Sequence, residues 1–303
     1  PMKVRIASIQ YQLRHIHDWD GFVHQVDFVL NAAADYCPQF VLLPELFTTQ
    51  LLSFMANDDV PSAVRGLSEY TTPYIDLLSA HAVRHGYYLI GGTHPNLREG
   101  KLLNTAFLFT PSGEVHLQDK IHRTRWEKEK WDSDHGDVLK VFQTPYGKIT
   151  ILICYDIEFP ELARSAAEEG AEIVFVPSCT DDRQGFLRVR YCCHARAIEN
   201  QIYVAMTSTV VIRFLRTAGH TPCRSIPARK DAVIYRTWPQ IPKQTENCML
   251  GVRLYHVIRC MSSFCKRPFT GIMGEDTNRP AAGQEQAAVR AQGRPRPRGA
   301  GSR

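Results

Sequence analysis

The sequence predicts an α/β fold. Three observations carry the prediction: strand-like and helix-like segments alternate over residues 1–212, 44% of the 303 residues are hydrophobic, and no apolar run of about 18 residues reads as a membrane span. The length suits one large domain or two small ones.

Taken in order, residues 4–11 read as the first strand. Phe22, Val26, Val29, Leu30 and Ala33 then recur at helical spacing, with Asp18 or Asp20 available as N-cap. Residues 39–43 form a second buried strand that ends at Pro44-Glu45. Residues 72–85 read as a helix, and 87–92 and 104–109 as strands, with a turn at Pro111-Ser112-Gly113. Residues 114–118 make a short strand before Lys120, and residues 148–153 run into Cys154. A helix follows at 160–169, opened by Pro160 and closed by Gly170. Residues 173–177 read as a strand, 186–199 as a helix and 202–208 as a strand.

The opening PMKVRIASIQ lacks the apolar core and small-residue cleavage site of a secretory signal. A chain beginning at Pro1 is expected to be processed or cut from a longer one. Nine cysteines, an odd number without a C-x-x-C pair or zinc spacing, point to reduced thiols in a cytoplasmic protein, with no metal. The net charge of +5 is unevenly spread: residues 213–303 hold 17 Lys+Arg and 5 Asp+Glu, the remainder 19 and 26. Such a tail suggests nucleic-acid binding or disorder. Its arginines lack aromatic interleaving and any recognisable motif, so nucleic acid is not the expected partner.

Glu45, Lys120 and Cys154 each lie at or just past the C-terminal end of a predicted strand, where ligand crevices form in α/β sheets. Together they make chemical sense. A carboxylate can take a thiol proton, and an ammonium can lower the thiol pKa and stabilise an oxyanion. Residue by residue the bland readings are buried filler for the cysteine, a helix-terminal charge for Glu45 and a solvated strand end for Lys120.

Four blocks decide between these readings. FVLLPELF around Glu45, DKIHRTRWEKE around Lys120, ILICYDIEFPE around Cys154 and HARAIENQIYV at 194–204 resemble, in order, the shared blocks of the nitrilase, or carbon–nitrogen hydrolase, superfamily. The resemblance covers residues 3–210. More narrowly, PELFTTQLLSF, KIHRTRWEKE and VPSCTDDRQGFLRVRYC are similar to the branch that often carries an N-terminal acetyltransferase domain, which would lie outside these 303 residues. The resemblance implies an αββα sandwich and a thiol-dependent hydrolase of small amides, carbamoyl compounds or nitriles, with amides favoured. It needs no metal or organic cofactor. It implies Cys154 as nucleophile, Glu45 as general base, and Lys120 with the Tyr155 backbone N–H as oxyanion donors. Glu127, with Glu129 as fallback, matches the family's second glutamate, although WEKEKW also reads as a charged helical face.

Other residues are secondary. Glu158 and Asp181 are candidates for contact with substrate, and Asp182 and Arg183 for the pocket lining. Glu158 and Glu161 also suit a helix N-terminus. His122 and His194 raise a Cys–His pair, which the family pattern disfavours. Arg196, Glu199 and Asn200 read as packing residues, and Cys192-Cys193 as an incidental buried pair.

Past residue 210 the family's continuation fails. Lost periodicity, new cysteines and the arginine-rich shift begin together, as a shifted reading frame would produce. The expected division is a hydrolase domain at 1–212 and an atypical, partly disordered Arg/Pro-rich tail at 213–303, ending in low-complexity QGRPRPRGAGSR. A homodimer or higher oligomer is expected if that part folds. The competing functions are acyl transfer through the same thioester, and a catalytically impaired member with a nucleic-acid-binding tail.

Overall fold

The computed structural model describes residues 2–55, 59–211, 233–235, 246–247 and 252–259. The chain runs β1 (Met2–Ile9), β2 (Gln12–Leu13), α1 (Trp19–Ala34), β3 (Phe40–Leu42), a 3-10 turn (Phe47–Ser53), α2 (Val60–Gly66), α3 (Thr71–His85), β4 (Tyr88–Arg98), β5 (Lys101–Phe109) and β6 (Val115–Asp119). Then come α4 (Arg125–Glu129), β7 (Val141–Thr144), β8 (Gly147–Ile151), a 3-10 turn (Cys154–Glu158), α5 (Pro160–Glu168), β9 (Ile173–Ser178), α6 (Arg183–Asn200) and β10 (Tyr203–Ser208). Short strands β11 (Val210–Val211), β12 (Val233–Tyr235) and β13 (Glu246–Asn247) precede β14 (Val252–Arg259).

Two sheets result. One has the order β13-β14-β1-β3-β4-β5-β6 and the other β12-β10-β9-β8-β7. Strands β1, β3 and β4 are parallel, as are β8, β9 and β10. Their side chains alternate between two cores, as the period of two requires. Val4, Ile6, Phe40 and Leu42 face the second sheet, and Ala7, Ile9, Val41 and Leu43 join the core under α1 and α3. Because both faces are covered, β3 and most of β9 read as continuous apolar runs. Phe40 sits at the seam, its ring 5.2 Å from Phe175 and 5.7 Å from Tyr146. Helices α5 and α6 cover the other side of the second sheet through Ala163, Val189, Cys193 and Ala197. The layering is the αββα sandwich that the blocks implied.

Local chemistry explains the helices that frame the site. Asp18, not Asp20, caps α1, accepting from the Gly21 N–H at 2.8 Å. Pro160 opens α5, where its missing N–H costs nothing, and Gly170 follows the helix at φ +92°. Asp182 caps α6, accepting from the Gly185 N–H at 2.7 Å.

The structure departs from the sequence expectation in extent. The strand expected at 148–153 stops at Ile151, so Cys154 opens a separate turn. The strand expected at 87–92 continues to Arg98, because an irregularity at Gly91-Gly92 lets β4 keep pairing with β5. Helices α2 and α4 and strand β7 are too short to leave a periodic signal.

Of the expected tail, only β12, β13 and β14 are described. Strand β14 pairs antiparallel with β1 from Met2↔Arg259 to Ile9↔Val252, and β12 pairs with β10. The rest of 213–303, including the expected disorder of its end, lies outside the described residues. Among the described residues no helix is long and apolar enough to cross a membrane, and the cysteines Cys37, Cys154, Cys179, Cys192 and Cys193 are free thiols.

Candidate active site

Glu45 lies three residues beyond β3, carried inward by the Leu43 N–H, which is bonded to the Ile90 carbonyl at 2.9 Å. Lys120 directly follows β6, its N–H bonded to the Asn104 carbonyl at 2.9 Å. Glu127 sits in the first turn of α4, where it closes a capping box with Thr124. The Thr124 N–H and hydroxyl both donate to Glu127 Oε2, at 2.7 and 2.9 Å. Local capping therefore holds the carboxylate from within its own helix.

These three side chains meet in the interior. Lys120 Nζ donates to Glu45 Oε1 at 2.8 Å and to both Glu127 oxygens at 2.9 Å. All three are at least 97% buried. A buried ammonium between two carboxylates is tolerable only when each lone pair and proton is matched. Asn104, on β5, supplies the missing match: its Nδ2 donates to Glu45 Oε1 at 3.0 Å and Glu127 Oε1 at 2.9 Å. Glu45 Oε2 faces the second sheet and accepts from the Cys179 N–H at 2.8 Å.

Cys154 enters from that second sheet. It is buried and has φ +48°, a left-handed backbone that a non-glycine residue adopts at a cost of about 1–3 kcal/mol. Its Sγ accepts a hydrogen bond from Ser178 Oγ at 3.2 Å and lies 3.6 Å from the Cys179 carbonyl oxygen. The Glu45 carboxylate lies close enough for its charge to raise the thiol.

The four titratable groups are driven apart. Burial holds the Glu45 carboxyl above the usual carboxylate range; Lys120 draws it down and the Glu127 charge pushes it up again. Burial acts on Glu127 in the same direction, but the Lys120 ammonium, with Asn104 and Thr124, overcomes it and leaves Glu127 below its ordinary value. Burial alone would lower Lys120, yet the Glu127 and Glu45 charges hold it well above its ordinary value. Burial and then the Glu45 charge raise the Cys154 thiol. Glu127 is thus a fixed anion that keeps Lys120 charged, while Glu45 is a basic carboxylate beside a protonated thiol. Two carboxylates with values pushed in opposite directions is the arrangement that divides acid–base work from electrostatic work.

The remaining sequence candidates fall around this cluster. Tyr155 follows Cys154 in the 3-10 turn, its ring edge-on to Phe159 at 5.1 Å. Glu158 ends the turn and accepts from Arg188 Nε at 2.7 Å. Asp181 is exposed between β9 and α6, Asp182 is the helix cap already described, and Arg183 opens α6. Glu129 is outside the cluster, paired with Arg125 at 2.7 Å. Arg196 binds the Ile157 and Glu158 carbonyls at 3.1 Å, holding the end of the Cys154 turn. His122 stacks on Phe159 with ring centres 3.6 Å apart and meets Asp156 at 3.3 Å.

Three site residues escaped the sequence reading. Asn104 and Ser178 are polar residues inside apolar strands, and that isolation was their one visible signal. Asp156 is buried two residues after Cys154, in a stretch where its neighbour Glu158 drew notice instead. Among the described residues no group of three or more His, Cys, Asp or Glu side chains could hold a metal ion.

A family model described as carbon–nitrogen hydrolase matches residues 5–228. The chain is 48% identical over 207 residues to the probable hydrolase YhcX of Bacillus subtilis, covering 68% of this chain and 40% of that relative. It is 30% identical over 219 residues to omega-amidase NIT2 of Xenopus tropicalis, covering 68% of this chain and 74% of the relative. Among solved structures, it resembles a variant of the amidase from Nesterenkonia sp. AN1, which shows Michael addition of acrylamide at the active-site cysteine. That likeness has TM-score 0.56 and 27% identity, over 68% of this chain and 79% of the other. The chain therefore spans well under two thirds of YhcX's own length.

Proposed function

The chain belongs to the carbon–nitrogen hydrolase family, and on that premise we propose that it is a thiol amidohydrolase acting on a small amide. The observation that carries the reading is the buried Glu45–Lys120–Glu127 cluster against the strained Cys154 turn. Glu45 takes the thiol proton as Sγ attacks the carbonyl carbon. The C=O electron pair moves to oxygen, and the oxyanion is met by Lys120 Nζ and the Tyr155 N–H. As the tetrahedral adduct collapses, Glu45 returns its proton to the departing ammonia or amine, leaving a thioester on Cys154. Glu45 then takes a proton from water, which attacks the thioester. Collapse of the second adduct releases the acid and restores the thiol. Glu127 keeps Lys120 protonated throughout and orients substrate. Glu158, paired with Arg188, and exposed Asp181 border the approach to Cys154.

The amide class is supported by relatives named omega-amidase and amidase; nitriles and carbamoyl compounds are the other members of the class. The test is an ammonia-release screen over small amides and nitriles. An amide should turn over, and Cys154→Ala should lose turnover by at least about 10³-fold. Full turnover by Cys154→Ala would sink the reading. Product analysis with added amines distinguishes hydrolysis from acyl transfer.

Several finer readings belong to the same proposal. Membership of the branch often fused to an acetyltransferase domain is supported by the three stretches quoted above. A cytoplasmic setting is supported by the free thiols. The division at residue 212 is supported by the charge shift, and every proposed site residue precedes it. A homodimer or higher oligomer remains the proposed assembly if the C-terminal part folds, read on gel filtration.

A further inference from the structure

The Asp156 carboxylate is buried, pairs with no Lys or Arg among the described residues, and takes no part in the mechanism above. Its hydrogen bonds go elsewhere. Oδ1 accepts from the His122 N–H at 2.7 Å and meets His122 Nδ1 at 3.3 Å. Oδ2 accepts from the Ile153 N–H at 3.2 Å and, more weakly, from the Ile121 N–H at 3.4 Å. Meanwhile the Asp156 N–H returns a bond to the Ile153 carbonyl at 3.0 Å.

The placement of those donors is the point. Ile153 immediately precedes the nucleophile, in the segment that leaves β8. Ile121 and His122 immediately follow Lys120, in the segment that leaves β6. Strands β6 and β8 belong to different sheets, so no ladder fixes one exit against the other. The carboxylate bridges them, accepting backbone N–H groups from both. It also cinches the turn in which Cys154 holds its left-handed conformation. A neutral side chain could not satisfy this set, because an amide has one acceptor oxygen where a carboxylate has two.

We propose that Asp156 is a positioning residue that sets the distance and orientation of Lys120 relative to Cys154 through the amides of 121, 122 and 153. The inference rests on the thiol-hydrolase reading for its kinetic arm, but its alkylation arm needs no substrate. Asp156→Asn keeps the size and one acceptor, and places an NH2 group against one of the two N–H clusters. A displacement of about 1 Å in a reacting pair costs about 100-fold.

The experiment compares wild type, Asp156→Asn and Asp59→Asn in the full chain, with rates expressed per active site titrated by iodoacetamide. Asp156→Asn should lower kcat and the Cys154 alkylation rate together by about 10- to 100-fold, with KM within about threefold. Asp59 is an exposed carboxylate that caps α2 by accepting from the Ser62 N–H, outside the site, so Asp59→Asn should stay within about threefold of wild type. Folded Asp156→Asn with unchanged kcat and alkylation rate per site would overturn the proposal, as would an equal loss in Asp59→Asn. If Asp156→Asn does not fold, amide exchange in the wild type decides: slow exchange at His122 and Ile153 supports the clamp, and rapid exchange at either overturns it. Wild type that neither releases ammonia nor alkylates at Cys154 fails the hydrolase reading instead, leaving the exchange result to judge the clamp.

Discussion

Lys120 has three N–H donors, and Glu45 and Glu127 take them in the resting site. The two carboxylates are unequal partners. Glu127 is ionised at a cost already met by Lys120, Asn104 and Thr124, whereas Glu45 is ionised against its burial. The consequence for pH has two signs. Glu127, with its value depressed on folding, contributes stability above the unfolded carboxyl value of about 4.3, lost as pH falls through its folded value. Glu45, with its value raised, holds its proton more tightly when folded, so its ionisation costs stability as pH rises through the same region. Glu45→Gln sets an amide NH2 against the Lys120 and Asn104 donors or the Cys179 N–H, a fixed cost at every pH, but it removes the ionisation cost, so its melting temperature relative to wild type should rise from pH 4 to pH 7. Its turnover should fall by about 10²–10⁴-fold through loss of the base. Thermal melts across pH beside ammonia release check both halves. A difference from wild type that does not change between pH 4 and pH 7 would show that Glu45 is not ionised against its burial. In the wild type, kcat/KM should decline on the acid side through a group titrating above the ordinary carboxylate range. Lys120→Met leaves two carboxylates facing one another without their cation, and should cost about 3–5 kcal/mol in denaturant unfolding.

At the scale of elements, the site is made of strand exits and the turns that follow them. The Glu45 exit depends on Gly92, at φ +69°, where an added Cβ would meet the Pro44 carbonyl oxygen at 2.1 Å. Gly92→Ala should therefore lose about 1–3 kcal/mol and shift Glu45, so that activity falls further than stability does. Denaturant melts and kinetics on the same sample measure both. This scale also explains what was legible in the sequence. Glu45, Lys120 and Cys154 each lie just past the end of a strand, a pattern local to the chain. Glu127 was visible through its spacing from Lys120 and is fixed by an equally local capping box. Asn104 and Asp156 were not legible, because their roles lie in partners 59 and 34 residues distant. The left-handed turn at Cys154 was hidden for a related reason. Sequence periodicity ran the strand up to the thiol, while the Asp156 bonds to Ile153 belong to the turn that takes over after β8.

At the scale of the whole molecule, chemistry depends on two sheets staying in register with each other. Glu45, Lys120 and Asn104 come from the seven-stranded sheet, and Cys154, Ser178 and Cys179 from the five-stranded one. The Cys179 N–H bond to Glu45 crosses between them. Phe40 packs in the seam that keeps them together. Phe40→Ala should cost about 3–5 kcal/mol, and should reduce kcat at temperatures where the fold is still intact by circular dichroism. Retained kcat up to global unfolding would mean that the site is rigid independently of the seam. The central claim, that carbon–nitrogen cleavage passes through a thioester on Cys154, has a direct test. Protein mixed with a turned-over amide is quenched in acid, digested and examined by mass spectrometry. The account predicts the acyl mass on the peptide containing Cys154 and on no other cysteine. Steady turnover with no adduct there, or with the adduct on Cys179, would contradict it.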